Sequence, residues 1–400
     1  MRSDISGDAV VAGDRLLADA FHVVRPAYGT GSLADLLPSV CAVLGVPGTA
    51  DVLGLGRHLD GVRKVGVLLV DGLGAYQVPV AAPYAPVLAD LAAGGGGHAG
   101  TLTAAFPSTT PVSLVTVGTG VPPGAHGILG FTARRPDGRV VNHIHWDDDP
   151  DPRRWQPVPT RFETAGADGV AVTVISRPEF AGSGLTVSAN RGAVFAGAKD
   201  AAAVADRLVR ALGAGDGPAL VYAYHPDVDK RGHEDGVDAP SWRAAVRALD
   251  GLLDRVVHRL PRDAALLVVA DHGQLNVPAS AHFDMADIPH LSAGVVAATG
   301  DPRVRYLYAA DGARDDLVAA WRETLGAAAW VLTREEAIDG GWYGPVPPAH
   351  AGRIGDVVVI CLGRVVALAT GWEPPSVAKM VAYHGSVTAA EMTVPLLVVR

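Results

Sequence analysis

Short apolar runs rich in β-branched residues recur along this chain, and most of them end on an acidic or imidazole side chain. VGVLLV at 65–70 leads into DGLG, ALVYAY at 219–224 into HPDVDKRGH, and AALLVVA at 264–270 into DHG; VAVTVIS at 170–176 is a fourth such run. Runs this short and this continuously apolar predict strands buried on both faces, as parallel strands are. Between them lie segments of helical periodicity, DAAAVADRLVRALG and SWRAAVRALDGLLDRVVHRL. The alternation predicts an α/β fold, a mostly parallel sheet with helices on both faces. Ligands of such sheets bind beyond the carboxyl ends of the strands. Those ends are where Asp71, Asp227, Asp229, Asp271 and His272 fall.

The rhythm changes between about residues 275 and 380. RVRYLYAA reads as a strand, ARDDLVAAWRETLG as a helix, AAWVLT as a strand and DVVVICLGRVVAL as a hairpin, which together predict a smaller inserted α+β lobe. The expected division is an N-terminal helical and loop segment over residues 1–60, packed on the core. The core itself takes residues 61–285 and 375–400, and the cap lobe residues 286–374. The last segment, AYHGSVTAAEMTVPLLVV, is expected to return to the main sheet.

Composition narrows the partners. A formal charge of −9 with no basic run argues against a nucleic-acid polymer or a membrane surface as ligand. The late apolar run is interrupted by Arg364, which predicts strands and not a membrane span. Cys41 and Cys361 each stand among apolar neighbours, as small core residues do, and the first residues, MRSDISGDAV, do not resemble a secretory signal. A cytoplasmic location is the expectation.

FPSTTPVSLVTVGTG, residues 106–120, places three hydroxyls before a proline where a helical pattern begins. By itself Thr110–Pro111 reads as an N-cap followed by proline at the first helical position. The same position sets a hydroxyl beside unpaired N–H groups and the positive end of a helix dipole, a favourable place for a phosphate. A threonine hydroxyl is barely acidic, so attack on phosphorus needs a base or a metal. Candidate ligands occur four times: Asp71 in VDGLG, Asp229 and His233 in DKRGH, Asp271 and His272 in ADHG, and His384 in YHGS. Each fragment alone is more often a cap, a surface ion pair, a turn or a structural histidine than a ligand. Together, following successive strands, they form a carboxylate and imidazole set suited to Zn²⁺, with Mn²⁺ as the alternative.

The ordered set resembles the alkaline phosphatase superfamily. Its elements are DGLG, a threonine ten residues before the glycine of a TG pair, HG at 126–127, D-x-x-x-H, DHG and a late HG. The nearest branch is the type I phosphodiesterase/nucleotide pyrophosphatase group, with phosphonoacetate hydrolase as a relative. The resemblance covers residue 60 to the C-terminus without most of the inserted lobe. It implies two divalent metals, one held by Asp71, Asp271, His272 and the Thr110 oxygen, the other by Asp229, His233 and His384. It also implies Thr110 as the nucleophile that becomes a phosphothreonine, and a small phosphoester substrate such as a nucleotide. Spacing to Gly120 selects Thr110 over Ser108 and Thr109, and spacing to His233 selects Asp229 over Asp227.

One departure bears on the substrate. Nucleotide pyrophosphatases carry an Asn shortly after their HG segment that helps bind a phosphate oxygen; here HGILGF places Phe131 there. Phosphonate hydrolysis, phosphomonoesterase activity and a catalytically silent metal-binding scaffold therefore stand beside phosphodiester hydrolysis. Sulfatase activity does not, because no C/S-x-P-x-R segment surrounds Thr110. Arg153, Arg154, Lys230 and Arg231 are candidate substrate contacts, with solvated charge their ordinary role. Trp146 and Trp155 are candidate stacking surfaces, with packing theirs. The acidic run Asp147–Asp149 is assigned no site.

Overall fold

A computed structural model of the chain describes residues 18–146 and 149–400. The first residues, read above as lacking a signal segment, and Asp147 and Asp148 of the acidic run lie outside the described part.

Among the described residues, seven strands form a central sheet in the order Gly97–Thr103, Thr393–Val399, Ala264–Val269, Lys64–Val70, Ala219–His225, Ala171–Ser176, Val194–Gly197. The last five in that order run parallel, and Thr393–Val399 is antiparallel to both its neighbours. All of Lys64–Val70 and Ala264–Val269 is buried, as their uninterrupted apolar sequences require. Helices flank the sheet. Ala201–Leu212 and Pro240–Arg259 pack on one another in one layer, and Thr110–Thr119, Gly184–Asn190 and Arg161–Ala167 make up the other. Leu36–Val43 joins the second group, with Leu36, Leu37, Val40 and Cys41 buried in the same core. No helix among the described residues is long and apolar enough to cross a membrane.

A second sheet is antiparallel, in the order Ala329–Thr333, Val357–Cys361, Val304–Ala309, Val295–Gly300, Thr132–Arg134, Val140–Asn142. Helix Arg314–Leu325 covers it and buries Trp321. Two of its strands come from residues 132–142, ahead of the expected 286–374 boundary. At three residues each they are too short for alternation to reveal. The expected hairpin in DVVVICLGRVVAL does not form. Val357–Cys361 pairs within the second sheet, whereas Val366–Leu368 pairs in parallel with the distant His282–Asp284.

Thr110 is the first residue of its helix, and Thr109, with extended backbone (φ −129°, ψ 148°), takes the N-cap position expected of Thr110. Proline at the second helical position is as well tolerated as at the first, since neither N–H has an intrahelical partner. The helix ends at Gly120 in the left-handed conformation, φ 67°.

Candidate active site

Register brings the strand-end residues together. Leu69 lies opposite Val269 and Val70 opposite His225, so Asp71 and Asp271, each two residues beyond the Leu69–Val269 pair, leave the sheet at the same level. The chain turns at Gly72 with φ 73°, and a Cβ there would stand 2.8 Å from that of Asp229, so only glycine lets the two loops meet. Asp229 donates its own N–H to the Asp71 carbonyl at 3.1 Å. Helix Asp227–Asp235 carries Asp229 and His233 one turn apart on one face. His384 follows the short strand Ala382–Tyr383, and its backbone segment is fastened to the nucleophile loop by Ser108 N–H donating to Gly385 O at 2.9 Å.

The side chains converge in turn. The Thr110 hydroxyl lies 3.2 Å from His272 Nε2. That nitrogen is also 3.5 Å from Asp71 Oδ1 and 3.3 Å from Asp271 Oδ2. The His272 and His384 rings stack with centroids 3.6 Å apart. His233 Nε2 is 3.1 Å from both Asp229 Oδ2 and His384 Nε2. Two sets of ligand atoms lie mutually within 4.8 Å, Asp71 with Asp271 and His272, and Asp229 with His272 and His384.

Each imidazole is held by its far nitrogen. Nδ1 of His233, His272 and His384 donates to the carbonyls of Ala382, Gly273 and Ser108, at 2.8, 3.2 and 2.9 Å. A carbonyl only accepts, so a proton sits on each Nδ1, and in the neutral form of each ring the Nε2 lone pair faces the centre. The carboxylates are held in the same manner. Tyr224 donates to Asp71 Oδ2, Gln274 Nε2 to Asp229 Oδ1 at 2.8 Å, and the N–H groups of Gly72 and His272 to Asp271 Oδ1. Asp71 Oδ1 and Asp271 Oδ2 are buried and accept no hydrogen bond.

Those two oxygens decide the electrostatics. Burial, reinforced by the charges of Asp271 and Asp229, pushes the Asp71 carboxyl well above the ordinary carboxylate range. Burial also raises Asp271, with Asp229 adding to it against an opposing His272. For Asp229 burial acts the same way but His233, His384 and His272 outweigh it, and its pKa is lowered. Burial alone would lower His233, yet Asp229 overrides it and the pKa rises. His384 is pushed well below the usual histidine range by burial and by His272. Lone pairs of imidazole and carboxylate aimed at one another, with two carboxylate oxygens unpartnered, are a donor set built for cations. The mixture of nitrogen and oxygen ligands with ordered outer partners fits divalent transition metals.

Two cavities open from this centre. One, of about 250 Å³, exposes Thr110, Asp71 and Asp229 and is walled by Tyr222, Tyr224 and Phe180. The other, of about 200 Å³, runs toward the second sheet past Thr109, Arg305 and Trp372.

Residues 65–387 match the family model described as type I phosphodiesterase / nucleotide pyrophosphatase. The chain belongs to that family, within the alkaline phosphatase superfamily. No curated protein matches it significantly. Solved structures share the fold of this phosphodiesterase-family chain. Murine ectonucleotide pyrophosphatase/phosphodiesterase 5 is 17% identical over 83% of this chain and 87% of its own, with a TM-score of 0.63. An inactive threonine-to-alanine variant of that protein in complex with AMP is 18% identical over 84% and 87%, with a TM-score of 0.61. Phosphonoacetate hydrolase from Sinorhizobium meliloti 1021 in complex with phosphonoformate is 20% identical over 85% and 90%, with a TM-score of 0.63.

In this member of the family the residues singled out by sequence separate cleanly. Thr110, Asp71, Asp229, His233, Asp271, His272 and His384 share one centre. Asp227 is turned away into an ion pair with Arg177. Ser108 donates to the Ser386 carbonyl at 2.7 Å. Lys230 lines the first cavity, while Arg231 pairs with Glu234 at 2.5 Å and Arg154 lies near Asp151 at 3.8 Å, both at the surface. Trp146 and Trp155 are buried and donate to Pro150 O and His143 Nε2, so they pack and do not face the cavities. Phe131 lines both cavities. Sequence reasoning passed over Tyr224 and Gln274. The available signals were the parity of Tyr222 and Tyr224 on one strand and the position of Gln274 directly after DHG.

Proposed function

We propose that this chain is a metal-dependent phosphodiesterase, of the nucleotide pyrophosphatase type, acting through a covalent phosphothreonine at Thr110. The observation that carries the reading is the Thr110 hydroxyl, at a helix N-terminus, within 3.2 Å of an imidazole shared by two carboxylate and histidine sets. Asp71, Asp271 and His272 would hold one cation beside Thr110, and Asp229, His233 and His384 the other, with zinc the favoured metal. When bound, such a pair supplies Lewis-acid stabilisation of the oxygens that gain charge during in-line displacement. Tyr224, Gln274 and the three backbone carbonyls keep the ligand atoms pointed at the centre. Thr110 forms its bond to phosphorus as the ester alcohol leaves, and water then releases the phosphomonoester. The structural neighbour that is inactive with threonine replaced by alanine, and holds AMP, supports both the nucleophile and a nucleotide-like substrate.

The test is hydrolysis of bis(p-nitrophenyl) phosphate by chelated, metal-restored and Thr110→Ala protein. Turnover should require metal and fall by about 10³-fold or more in the variant. Equal turnover in chelated and restored samples would remove the metal reading, and full activity of the variant would remove the nucleophile.

A carbon–phosphorus hydrolase is the second reading. It is favoured by Phe131, which brings a hydrocarbon face where pyrophosphatases have an amide, and by the fold shared with phosphonoacetate hydrolase. Phosphonoacetate turnover exceeding that of every phosphodiester would establish it.

A further inference from the structure

The second cavity contains a buried carboxylate that the protein leaves half satisfied. Asp301 lines it and is 6% exposed. Its Oδ1 accepts the N–H groups of Arg303 and Val304 at 2.9 and 3.0 Å, while its Oδ2 is buried with no hydrogen-bond partner. The guanidinium groups nearby are committed elsewhere, Arg303 to Glu391 and Arg305 to Glu373, each at 2.7 Å. Gly385, at φ 132°, lies so close to Asp301 Oδ1 that a Cβ there would collide with it. The carboxylate is thereby packed against the segment that carries His384 and is fastened to the nucleophile loop. A second oxygen in the same wall shares its condition. Thr109 lines the cavity, is fully buried, and its hydroxyl neither caps its helix nor finds another partner.

The wall selects the kind of group that completes these oxygens. Among the described residues, the charged carboxylates and guanidinium groups lining the cavity are Asp301, Glu373 and Arg305. With Arg305 and Glu373 paired, one carboxylate is in excess. Burial pushes that carboxyl up to about 7, and a hydrogen-bond donor beside it is worth more there than at the surface. Trp372 also lines the cavity and is 46% exposed, an aromatic face open to a cation. An ammonium carries three N–H donors and no acceptor, which suits two unpartnered oxygens and an excess negative charge. Position then says which part of a substrate bears it. His233 and His384 line this cavity and Thr110 does not. In-line displacement puts the leaving group opposite the nucleophile, on the side of those two histidines.

We propose that the second cavity is a subsite for a protonated primary amine on the leaving group, with Asp301 as its counter-charge and Trp372 as its aromatic face. The proposal rests on the reading of the chain as a phosphoester hydrolase and specifies the group that departs.

O-Phosphoethanolamine, ethyl phosphate and phosphoglycolate carry an ammonium, a methyl and a carboxylate at similar reach from one phosphate. Their Kd values for the metal-loaded protein, measured by calorimetry, read the subsite without turnover. In the wild type the ammonium ester should bind about tenfold more tightly than the ethyl ester, the worth of one hydrogen bond to a charged group, and the carboxylate should bind most weakly. The preference should fall toward one in Asp301→Asn, whose amide keeps an oxygen for the Arg303 and Val304 N–H groups. It should fall by about threefold in Trp372→Ala, which loses the ring and keeps the charge. A wild-type ratio near one, tighter binding of phosphoglycolate, or an unchanged ratio in an Asp301→Asn protein that melts like the wild type would overturn the amine site. Should that variant not fold, an unchanged ratio in Trp372→Ala decides against the site in its place. Failure of all three esters to bind would instead overturn the phosphoester reading, and the subsite with it.

Discussion

Two groups of buried charge lie near each other in this molecule and have opposite states of compensation. Arg303 and Glu391 are both 0% exposed, and every charged oxygen between them is used. Arg303 Nε and Nη2 donate to Glu391 Oε1 and Oε2 at 2.9 and 2.7 Å, and Ser386 N–H and the Thr388 hydroxyl donate to the same two oxygens. Around His272, by contrast, three buried carboxylates crowd together and two oxygens accept nothing. A buried charge that the protein satisfies by itself is structure. One it leaves unsatisfied marks where something else belongs. The satisfied pair also supports the unsatisfied cluster: Glu391 ties the second sheet's Arg303 to Ser386, two residues beyond His384, and accepts the Gly273 N–H through its carbonyl at 2.9 Å.

The comparison breaks most visibly at that pair. Glu391→Gln leaves a guanidinium buried without its counter-charge and should destabilise the fold by about 3–5 kcal/mol in chemical denaturation. Arg303→Met combined with Glu391→Leu, which removes both charges, should lose clearly less than the two single changes added together. A Glu391→Gln protein within about 1 kcal/mol of wild type would show that the pair is not the lock described here.

How legible these regions were in the sequence follows from the same contrast. The convergence of these carboxylates and imidazoles could be read because strand-end positions are visible wherever a strand is a continuous apolar run, and register then brings Asp71 level with Asp271. The parallel core was legible for the same reason. Glu391, inside TAAEMTV, looks like an ordinary exposed helix residue, and nothing local announces that Arg303, 88 positions earlier, will bury against it. Tyr224 passed as one more residue of the ALVYAY strand because Asp71, which accepts from its phenol, lies 153 positions away. The strands Thr132–Arg134 and Val366–Leu368 were missed or mispaired because their identity depends on partners such as Gly300 and Val366's neighbour His282, not on their own periodicity. Even the helix at Thr110 begins one residue earlier than its proline suggests, since proline marks the first turn and not its first residue.

Metal removal should sharpen the contrast with a smaller effect. Asp71 and Asp271 have raised pKa values when folded, so the metal-free fold binds more protons than the unfolded chain above about pH 4. Their contribution to stability is lost as pH rises through and beyond that range. His233, raised by Asp229, adds a stabilisation present at low pH and lost as pH climbs through its folded pKa. Both groups weaken the metal-free protein in the same direction. The melting difference between zinc-loaded and chelated samples should therefore widen from pH 5 to pH 8, reaching about 2.7 kcal/mol when free metal is about 100 times its Kd. A difference that is flat or narrows over that interval would mean the carboxylates are not what the cation relieves.

The smallest effect is the most diagnostic, because its sign is unusual. Asp271→Asn retains one oxygen to accept the Gly72 and His272 N–H groups and replaces the other, unpartnered one with an amide. That amide can donate toward Asp71 Oδ1, so a repulsive buried charge becomes a hydrogen bond. The metal-free variant should be more stable than metal-free wild type at neutral pH, on the order of 1 kcal/mol, since one pKa unit of relief is worth about 1.4 kcal/mol. Under saturating metal the order should reverse, because the variant lacks the anionic oxygen that a bound cation would take from Asp271. Glu391→Gln, an identical chemical change at the compensated pair, should destabilise with or without metal. If Asp271→Asn destabilises the chelated protein as well, the two clusters do not differ in kind and the unpartnered oxygens are no evidence of a cation.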